Sequence, residues 1–461
     1  MPLIKKWPGS ELLRGVFRLP ARILIFGFLT LILSGTGLLM LPVSSMGPRL
    51  CFVDALFMST SASCVTGLSV VDACTLSLFG QIVILVLIQA GGLGIMTVST
   101  LFLLIAGKRP SLTEHAVVID TFTCSGERGL VSIIREVVLF TLVIETAGAV
   151  CLFVHFKSSF APAHAFYLAI FHAVSAFCNA GFSLFSDSLM RYRQDWILNG
   201  VICLLVIAGG IGFIVLSELK QKFPYNRRAW SRLSLHTKLV IVATGFLLCF
   251  STLLIAGMEW QNTLAGMPAG SRLIGAFFQA VSARTAGFNT ISIQNMANET
   301  LFLIMILMFI GAGPGSCAGG IKITTAAALV FAGFSKLNGH DRPQLFHRTI
   351  TSNSIIKAMS LVMISGFIVS AGTMILLMTE SGHVSHIASR GEFLELLFET
   401  VSAFGTVGLS TGVTAKLSES GRLLITLVMF IGRIGPMVIT LAITRRITKH
   451  YYHAEEGIMI G

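Results

Sequence analysis

Apolar residues run along this chain in stretches too long for a soluble core, and the interruptions recur in a regular way. Eight stretches, at about 21–43, 76–106, 131–156, 196–217, 238–258, 300–332, 355–379 and 421–445, are each long enough to cross a bilayer; a helix needs roughly 20 residues to do so. The pattern predicts an all-α polytopic membrane protein with eight transmembrane helices. Between the two members of each successive pair lies a shorter apolar segment: FVDALFMSTSASCVTGLS, FYLAIFHAVSAFCNAGFS, LIGAFFQAVSARTAGFN and FLELLFETVSAFGTVGLS. Each amounts to about four turns of helix, too short to span. Each then meets a glycine: Gly67, Gly181, Gly287 and Gly408.

The four short segments align. Phe57, Phe171, Phe278 and Phe398 each stand four residues before a Ser-Ala pair that begins at Ser61, Ser175, Ser282 or Ser402, and the phenylalanines are 114, 107 and 120 residues apart. The chain therefore reads as four tandem copies of span, re-entrant pore half-helix, glycine turn and span around one pore. The predicted boundaries are a cytosolic arm (1–20), repeat 1 (21–106), a cytosolic loop (107–130), repeat 2 (131–217), a loop (218–237), repeat 3 (238–332), a loop (333–354), repeat 4 (355–447) and a tail (448–461).

Repetition within a membrane chain points to a site where the repeats meet. Non-helical backbone at membrane depth is tolerated only where protein buries it or where it lines a cavity. Four half-helices ending in glycine turns can bring their carbonyls into rings that replace the hydration shell of a cation. Glycine permits the backbone this requires, and the C-terminal helix ends add partial negative charge. Ordinary interfacial hairpins would not need the same glycine four times.

A second signal repeats in the later span of each copy: QAGGLGIM, IAGGIGFI, FIGAGPGS and FIGRIGPM. Gly91, Gly311 and Gly432 each fall 24 residues after a turn glycine, and Gly209 falls 28 after its own. The next residues are Gly92, Gly210, Ala312 and Arg433. Small-residue helix packing accounts for the glycines but not for an arginine at that depth, which faces the bundle interior or a water cavity. In repeat 3 the span is broken by GAGPGSCAGG, residues 311–320; Pro314 removes a helical hydrogen bond and clashes with the preceding turn.

Charge sharpens the topology. The chain carries a net charge of +12, yet only 12% of its 461 residues are charged and 54% are hydrophobic. With the N-terminus inside, 22 of the 33 Lys and Arg fall on inner segments and eight on outer ones. This is the positive-inside pattern, with both termini cytoplasmic. The basic excess is topological, so nucleic acid is not an expected partner. The opening residues lack the apolar core of a cleavable signal peptide. The nine cysteines show no metal-ligand spacing and read as small buried hydrophobes. No nucleophile–base pair and no metal cluster is visible, so the chain does not read as an enzyme, and His340, His347, His383 and His386 carry no metal spacing.

With these motifs in view, the chain resembles the Trk/Ktr/HKT superfamily of potassium transporters over roughly residues 21–447. SCVTGLS, NAGFSLF, SARTAGFNT and TVGLSTG look like that family's four filter segments, GPGSCAGGIKITT like its broken third-repeat helix and GRIGP like its fourth-repeat arginine motif. The short N-terminal arm fits a Ktr-type (KtrB-like) membrane subunit. The resemblance implies a potassium-selective, channel-like uptake protein of the bacterial plasma membrane. It implies potassium binding at Val65, Thr66 and Gly67; Asn179, Ala180 and Gly181; Thr285, Ala286 and Gly287; and Thr406, Val407 and Gly408. It also implies a homodimer on a separate cytosolic ring of nucleotide-binding regulatory subunits (KtrA/TrkA-like), with potassium, and by one reading sodium, as transported ion and no cofactor in this chain. The basic inner loops equally suit anionic membrane lipid. One departure is visible: the third glycine follows its Phe by nine residues, where the others follow by ten.

Below the filter, Gly311, Gly313, Pro314, Gly315, Ser316, Gly319 and Gly320 are read as a mobile gate. Ser316 and nearby carbonyls are expected within reach of Arg433, and Lys322 at the resumption of the helix. Repeat 3 would then be the one place where the fourfold pattern is spoiled. Arg284 is expected behind the filter, supporting it through a carboxylate, Glu399 or Glu395. Glu145 is expected to pair with a cation or to be protonated, Asp54 and Asp72 to act as vestibule charge or helix caps, and His172 to be a packing residue. A sodium–potassium symporter and an alternating-access transporter are the competing functions; the latter class shows inverted repeats with paired interruptions.

Overall fold

The computed structural model describes residues 20–94, 130–222, 227–339, 343–346, 348–382, 384–385 and 387–435. The arm before residue 20, most of the 107–130 loop, the C-terminal tail and His340, His347, His383 and His386 lie outside the described residues. Among the described residues the regular structure is helical apart from one two-residue hairpin, β1 (Gln344–Leu345) and β2 (Arg348–Thr349).

Each repeat supplies a first helix, a half-helix and an inner helix. Repeat 1 holds α1 (Pro20–Leu39), α2 (Phe52–Ser63) and α3 (Leu78–Leu93). Repeat 2 holds α4 (Leu130–Phe156), α5 (Pro162–Phe177), α6 (Trp196–Ile211) and α7 (Phe213–Gln221), followed by the short α8 (Arg227–Arg232). Repeat 3 holds α9 (Leu235–Glu259), α10 (Ala269–Ser282), α11 (Asn298–Phe309) and α12 (Ile323–Leu337). Repeat 4 holds α13 (Ser352–Leu376), α14 (Glu392–Gly405) and α15 (Glu419–Ile434).

The repeats close into a ring by one rule. Each inner helix packs against the half-helix of the next repeat: α3 on α5, α6 on α10, α11 on α14, and α15 back on α2. The aligned Phe57, Phe171, Phe278 and Phe398 are all buried in the core. Burying each such ring contributes on the order of 2 kcal/mol or more, so the repeated Phe anchors each half-helix. The last closure carries a charge pair: Arg422 Nη1 on α15 lies 2.7 Å from Asp54 Oδ1 in the first turn of α2.

The start of every inner helix is tied back to the end of its own first helix or the turn that follows it, by three kinds of chemistry in the four repeats. Ser77 N donates to Ser44 O (3.1 Å). Asp195 pairs with His155 (2.8 Å) while capping Leu198 N. Ala297 N donates to Glu259 (2.9 Å), and Ser418 N donates to Glu380 (2.9 Å). All four satisfy donors that a helix start leaves open.

The predicted spans, eight with the last one of repeat 3 broken, gain one refinement. Among the described residues three helices are long and apolar enough to cross a membrane, Arg135–Phe156, Leu235–Glu259 and Ser352–Ser381, with a fourth if α6 and α7, bent by 95°, count as one. The inner helices are shorter than the apolar runs because each stops at the same aligned position. Gly94 (φ +78°), Gly212 (φ +100°) and Gly435 (φ +88°) terminate α3, α6 and α15. Each lies three residues after Gly91, Gly209 or Gly432, and Pro314 holds the matching place after Gly311. Repeat 3 is therefore one of four in which the inner helix stops at or just before this position, and the 196–217 run is two helices.

Removing the Arg422 guanidinium strands a half-buried carboxylate, and hydrogen bonds to charged groups are worth about 1.5–3 kcal/mol. Arg422→Ala should lower stability by about 2 kcal/mol, read as a lower midpoint of thermal unfolding in detergent; an unchanged midpoint would show that the α15–α2 closure does not need this pair.

Candidate functional site

The four half-helices end on one another. Two residues before each turn glycine stands a non-glycine residue in the left-handed region: Val65 (φ 54°), Asn179 (φ 59°), Thr285 (φ 74°) and Thr406 (φ 49°). The glycines follow at φ 94°, 69°, 79° and 90° for Gly67, Gly181, Gly287 and Gly408. A left-handed Val or Thr costs of order 1–2 kcal/mol, and persists only when its surroundings over-determine it. Here the N–H of the intervening residue reaches back into the half-helix: Thr66 to Ser61 O (2.8 Å), Ala180 to Ser175 O (2.7 Å), Ala286 to Ser282 O (2.9 Å) and Val407 to Ser402 O (2.9 Å). The repeated serine hydroxyl adds a second tie. Ser61 and Ser402 accept from the turn glycines Gly67 and Gly408 (both 3.1 Å), while Ser175 and Ser282 donate to Phe182 O and Phe288 O.

The missing residue of the third turn is absorbed upstream. The Ala286 N–H bonds four residues back, where its three counterparts bond five back. Thr285 and Gly287 nevertheless keep the handedness of the other three, so the shorter spacing leaves the turn's backbone unchanged.

The ring then closes on the glycines. A Cβ on Gly67 would lie 2.5 Å from Ala180 O, one on Gly181 2.8 Å from Ala286 O, one on Gly287 2.5 Å from Val407 O, and one on Gly408 2.2 Å from Thr66 O. Each glycine thus faces the carbonyl of the next repeat, in the order 1, 2, 3, 4 and back to 1. Contact this close is open only to a residue without a side chain. All four glycines line one cavity of about 210 Å³, together with Asp72, Asp187 and Asn289. Asp187 is held by Arg191 at 2.9 Å.

Behind the turns, the residue after the aligned Phe braces the segment that leaves the glycine in repeats 2 and 4. His172 contacts Ser183 Oγ at 3.2 Å and Leu168 O at 2.8 Å, a packing role. Glu399, fully buried, accepts from Ser410 Oγ and from Thr414 Oγ1 (2.8 Å). The expected pairing of Arg284 with Glu399 or Glu395 is not formed. Glu399 is satisfied by hydroxyls of its own repeat, and the hydrogen bond of Arg284 runs to Thr244 (3.5 Å) on α9. Arg284 instead lines a narrow crevice between repeats 2 and 3, with Gly210 and Ala312. Of the two readings of Glu145, a cation partner or a protonated carboxyl, no cation partner is formed among the described residues: its carboxylate takes the Gln89 amide at 3.1 Å and the Cys178 thiol.

Beneath the ring, the Gly311–Gly320 loop satisfies the open ends of other helices. Gly313 N donates to Gly210 O (2.9 Å), Cys317 N to Gly209 O (3.2 Å) and Phe213 N to Gly315 O (3.1 Å), which pins the loop into the α6–α7 bend. Carbonyls at a helix C-terminus otherwise lack partners. The loop passes close under the fourth turn, since a Cβ on Gly319 would lie 2.1 Å from Thr406 Oγ1, and Gly320 (φ +63°) lies against Gly405. Pro314 O faces Gly212 at 2.5 Å from where a Cβ would stand.

Two cations hold the loop. Arg433 donates to Cys317 O (2.5 Å) and Gly91 O (2.6 Å), bridging the loop to the end of α3. Lys322, the N-cap residue of α12, donates to Ala318 O (2.6 Å). Ser316 bonds Gly313 O (2.6 Å), so the Arg433 partner is the neighbouring Cys317 carbonyl and not the serine. Among the described residues neither cation forms a salt bridge. The small residues level with Arg433 have a further use that spacing alone did not reveal. In two repeats the residue three before the turn glycine lies against one of them: Cys178 on Gly92, and Arg284 beside Gly210.

A family model described as TrkH, cation transport protein, matches residues 16–451. The chain is 39% identical to the Ktr system potassium uptake protein B of Bacillus subtilis over 96% of this chain and 97% of that one. It is 36% identical to the potassium/sodium uptake protein NtpJ of Enterococcus hirae over 96% and 97%. In three dimensions it resembles the crystal structure of the potassium transporter TrkH from Vibrio parahaemolyticus, with a TM-score of 0.70 at 18% identity, covering 91% of this chain and 85% of that one.

Two glycines of α6 separate packing from propensity. A Cβ on Gly209 would lie 1.8 Å from Phe177 O, whereas one on Gly200 meets nothing within 4 Å. Overpacking costs about 1–3 kcal/mol or more, so Gly209→Ala should lower the thermal midpoint sharply or prevent folding. Gly200→Ala should hold the midpoint or raise it, by an amount that corresponds to about 0.5–1 kcal/mol of stability. Equal effects would show that the half-helix end does not need the missing side chain.

Proposed function

The chain belongs to the TrkH family of cation transport proteins, and on that premise we propose that it is a potassium-selective, channel-like uptake protein whose ion passes through the ring of four glycine turns. A transporter and not an enzyme, it would draw on the membrane potential, which supplies about 2.3 kcal/mol per elementary charge per 100 mV. The observation that carries the reading is the cyclic closure of the ring, with each turn glycine set against the carbonyl of the next repeat. Such closure holds carbonyls at a fixed spacing around an axis, as a dehydrated cation requires. We assign ion coordination to the carbonyls of Val65, Thr66, Asn179, Ala180, Thr285, Ala286, Thr406 and Val407.

The Gly311–Gly320 loop is assigned as the gate, latched by Arg433 and Lys322. A latch built from backbone carbonyls and unpaired cations can release without leaving a carboxylate stranded. Opening requires Gly209, Gly210 and Cys317 to find other partners, a cost that a regulatory partner could meet. We assign that role to a separate cytosolic nucleotide-binding assembly, and place the chain in a bacterial plasma membrane as a homodimer with both termini inside. The NtpJ name supports a sodium-linked variant of the same reading.

Uptake of rubidium as a potassium tracer, in a strain lacking its own potassium uptake, with and without external sodium, tests the assignment. Gly67→Ser places a Cβ 2.5 Å from Ala180 O at φ +94° and should cut potassium preference over sodium by about tenfold or more. Selectivity left unchanged in folded protein would remove the ring from the pathway. Arg433→Gln, or removal of part of the 311–320 loop, should raise flux several-fold; unchanged or lower flux would argue against a gate. A requirement for a second ion at a few turnovers per second would favour symport.

A further inference from the structure

Arg284 stands between the third half-helix and its turn and is 6% exposed. It forms no salt bridge among the described residues. Its hydrogen bond to Thr244 Oγ1 is long, at 3.5 Å, and its Nε is buried without a partner. Arg433, by contrast, donates to two carbonyls. Arginine stays protonated in proteins, so Arg284 cannot shed its charge on burial, and a buried charge without a partner is strongly destabilising. The crevice that the guanidinium lines has a volume of about 20 Å³. Ile207 on α6, Leu248 on α9 and Val281 on α10 give it apolar walls, Thr244 adds a hydroxyl, and no carboxylate lines it. One water needs about 10–15 Å³, so the space suits a monatomic ion and is too small for a phosphate or a carboxylate on a chain. Gly210 keeps it open, since a Cβ there would lie 3.3 Å from the Cβ of Ala312.

We propose that this crevice binds a halide, chloride under ordinary conditions, as the counter-ion of Arg284. The guanidinium and the Thr244 hydroxyl donate to it, and charge-assisted hydrogen bonds of this kind are the strong ones. Thr285 and Ala286, whose carbonyls are assigned above to ion coordination, follow Arg284 directly in the chain. A lone guanidinium opposes a cation at that turn, and a low-dielectric surrounding strengthens the opposition. A halide cancels the charge, so an anion in the crevice and a cation at the third turn favour each other. Such coupling is reciprocal: each ion tightens the binding of the other by the same factor. The site stands on the crevice alone, while the coupling rests on the conduction reading above.

The test uses the full chain with bromide, chloride and gluconate as potassium salts at one potassium concentration; gluconate is too large for the crevice. Crystals grown in bromide should show an anomalous peak beside Arg284. In detergent, chloride in place of gluconate should raise the midpoint of thermal unfolding. In proteoliposomes with the same anion on both sides, it should tighten the apparent affinity for rubidium by about fivefold or more. Arg284→Gln should abolish all three effects. Where that variant does not fold, Leu248→Phe, which fills the crevice and keeps the charge, should abolish them instead. The absence of a bromide peak, or chloride effects that persist in the variants, overturns the site. A bromide peak with the same rubidium affinity in chloride and gluconate supports the site and overturns its coupling to the third turn. The Gly67→Ser test of the ring does not involve the anion, so the two readings fail separately.

Discussion

In a bilayer every peptide group must find its partner within the protein. This chain concentrates its most demanding backbone at one depth. Four helices end in left-handed turns there, and four more stop just beneath them. Neither set can satisfy itself. The turns are held by N–H groups reaching back into the half-helices, and two of the inner helix ends are satisfied by the loop from Gly311 to Gly320. Most other features follow from that need. Inner helices lack side chains at Gly91, Gly209 and Gly432 because the carbonyls of Ser63, Phe177 and Phe404 pass within 2.0 Å of where a Cβ would stand.

The same need explains why repetition is strict in some places and free in others. The turn glycines and the preceding serines recur because φ and a single hydrogen bond fix them. The ties between first and inner helices do not recur. A carbonyl, a His–Asp pair and two glutamates each serve, since any acceptor near a helix start will do. The third turn loses a residue without losing its shape, because one turn of half-helix can tighten more easily than a left-handed pair can change hand.

Much of this was legible in the sequence where a requirement falls on one residue. Four glycines at matched places gave the turns, and Arg433 stood out because small residues fill its three counterparts. The shared helix ends at Gly94, Gly212 and Gly435 were also present as a glycine three places on, but Pro314 and the longer insertion drew attention to one repeat. Side-chain partners were harder to read. Arg284 and Glu399 looked complementary as charges, yet Glu399 is satisfied by Ser410 and Thr414, eleven and fifteen residues further along its own repeat. Which face a half-helix turns to its neighbour decides such partners, and spacing along the chain does not record it.

All four quadrants of the ring belong to one chain, and this sets the dose of every unusual group. Were the ring an assembly of four identical subunits, an arginine beneath it would come as four guanidinium groups crowded around one axis, with mutual repulsion that a low-dielectric interior would magnify. Fused in tandem, the ring takes a single copy. One quadrant can carry a charge, another a thiol, and another an inserted loop, while the rest keep the small residues that let them close. A substitution in such a protein alters one side of the ring, so its two neighbours and its opposite number remain as an internal reference within the same molecule.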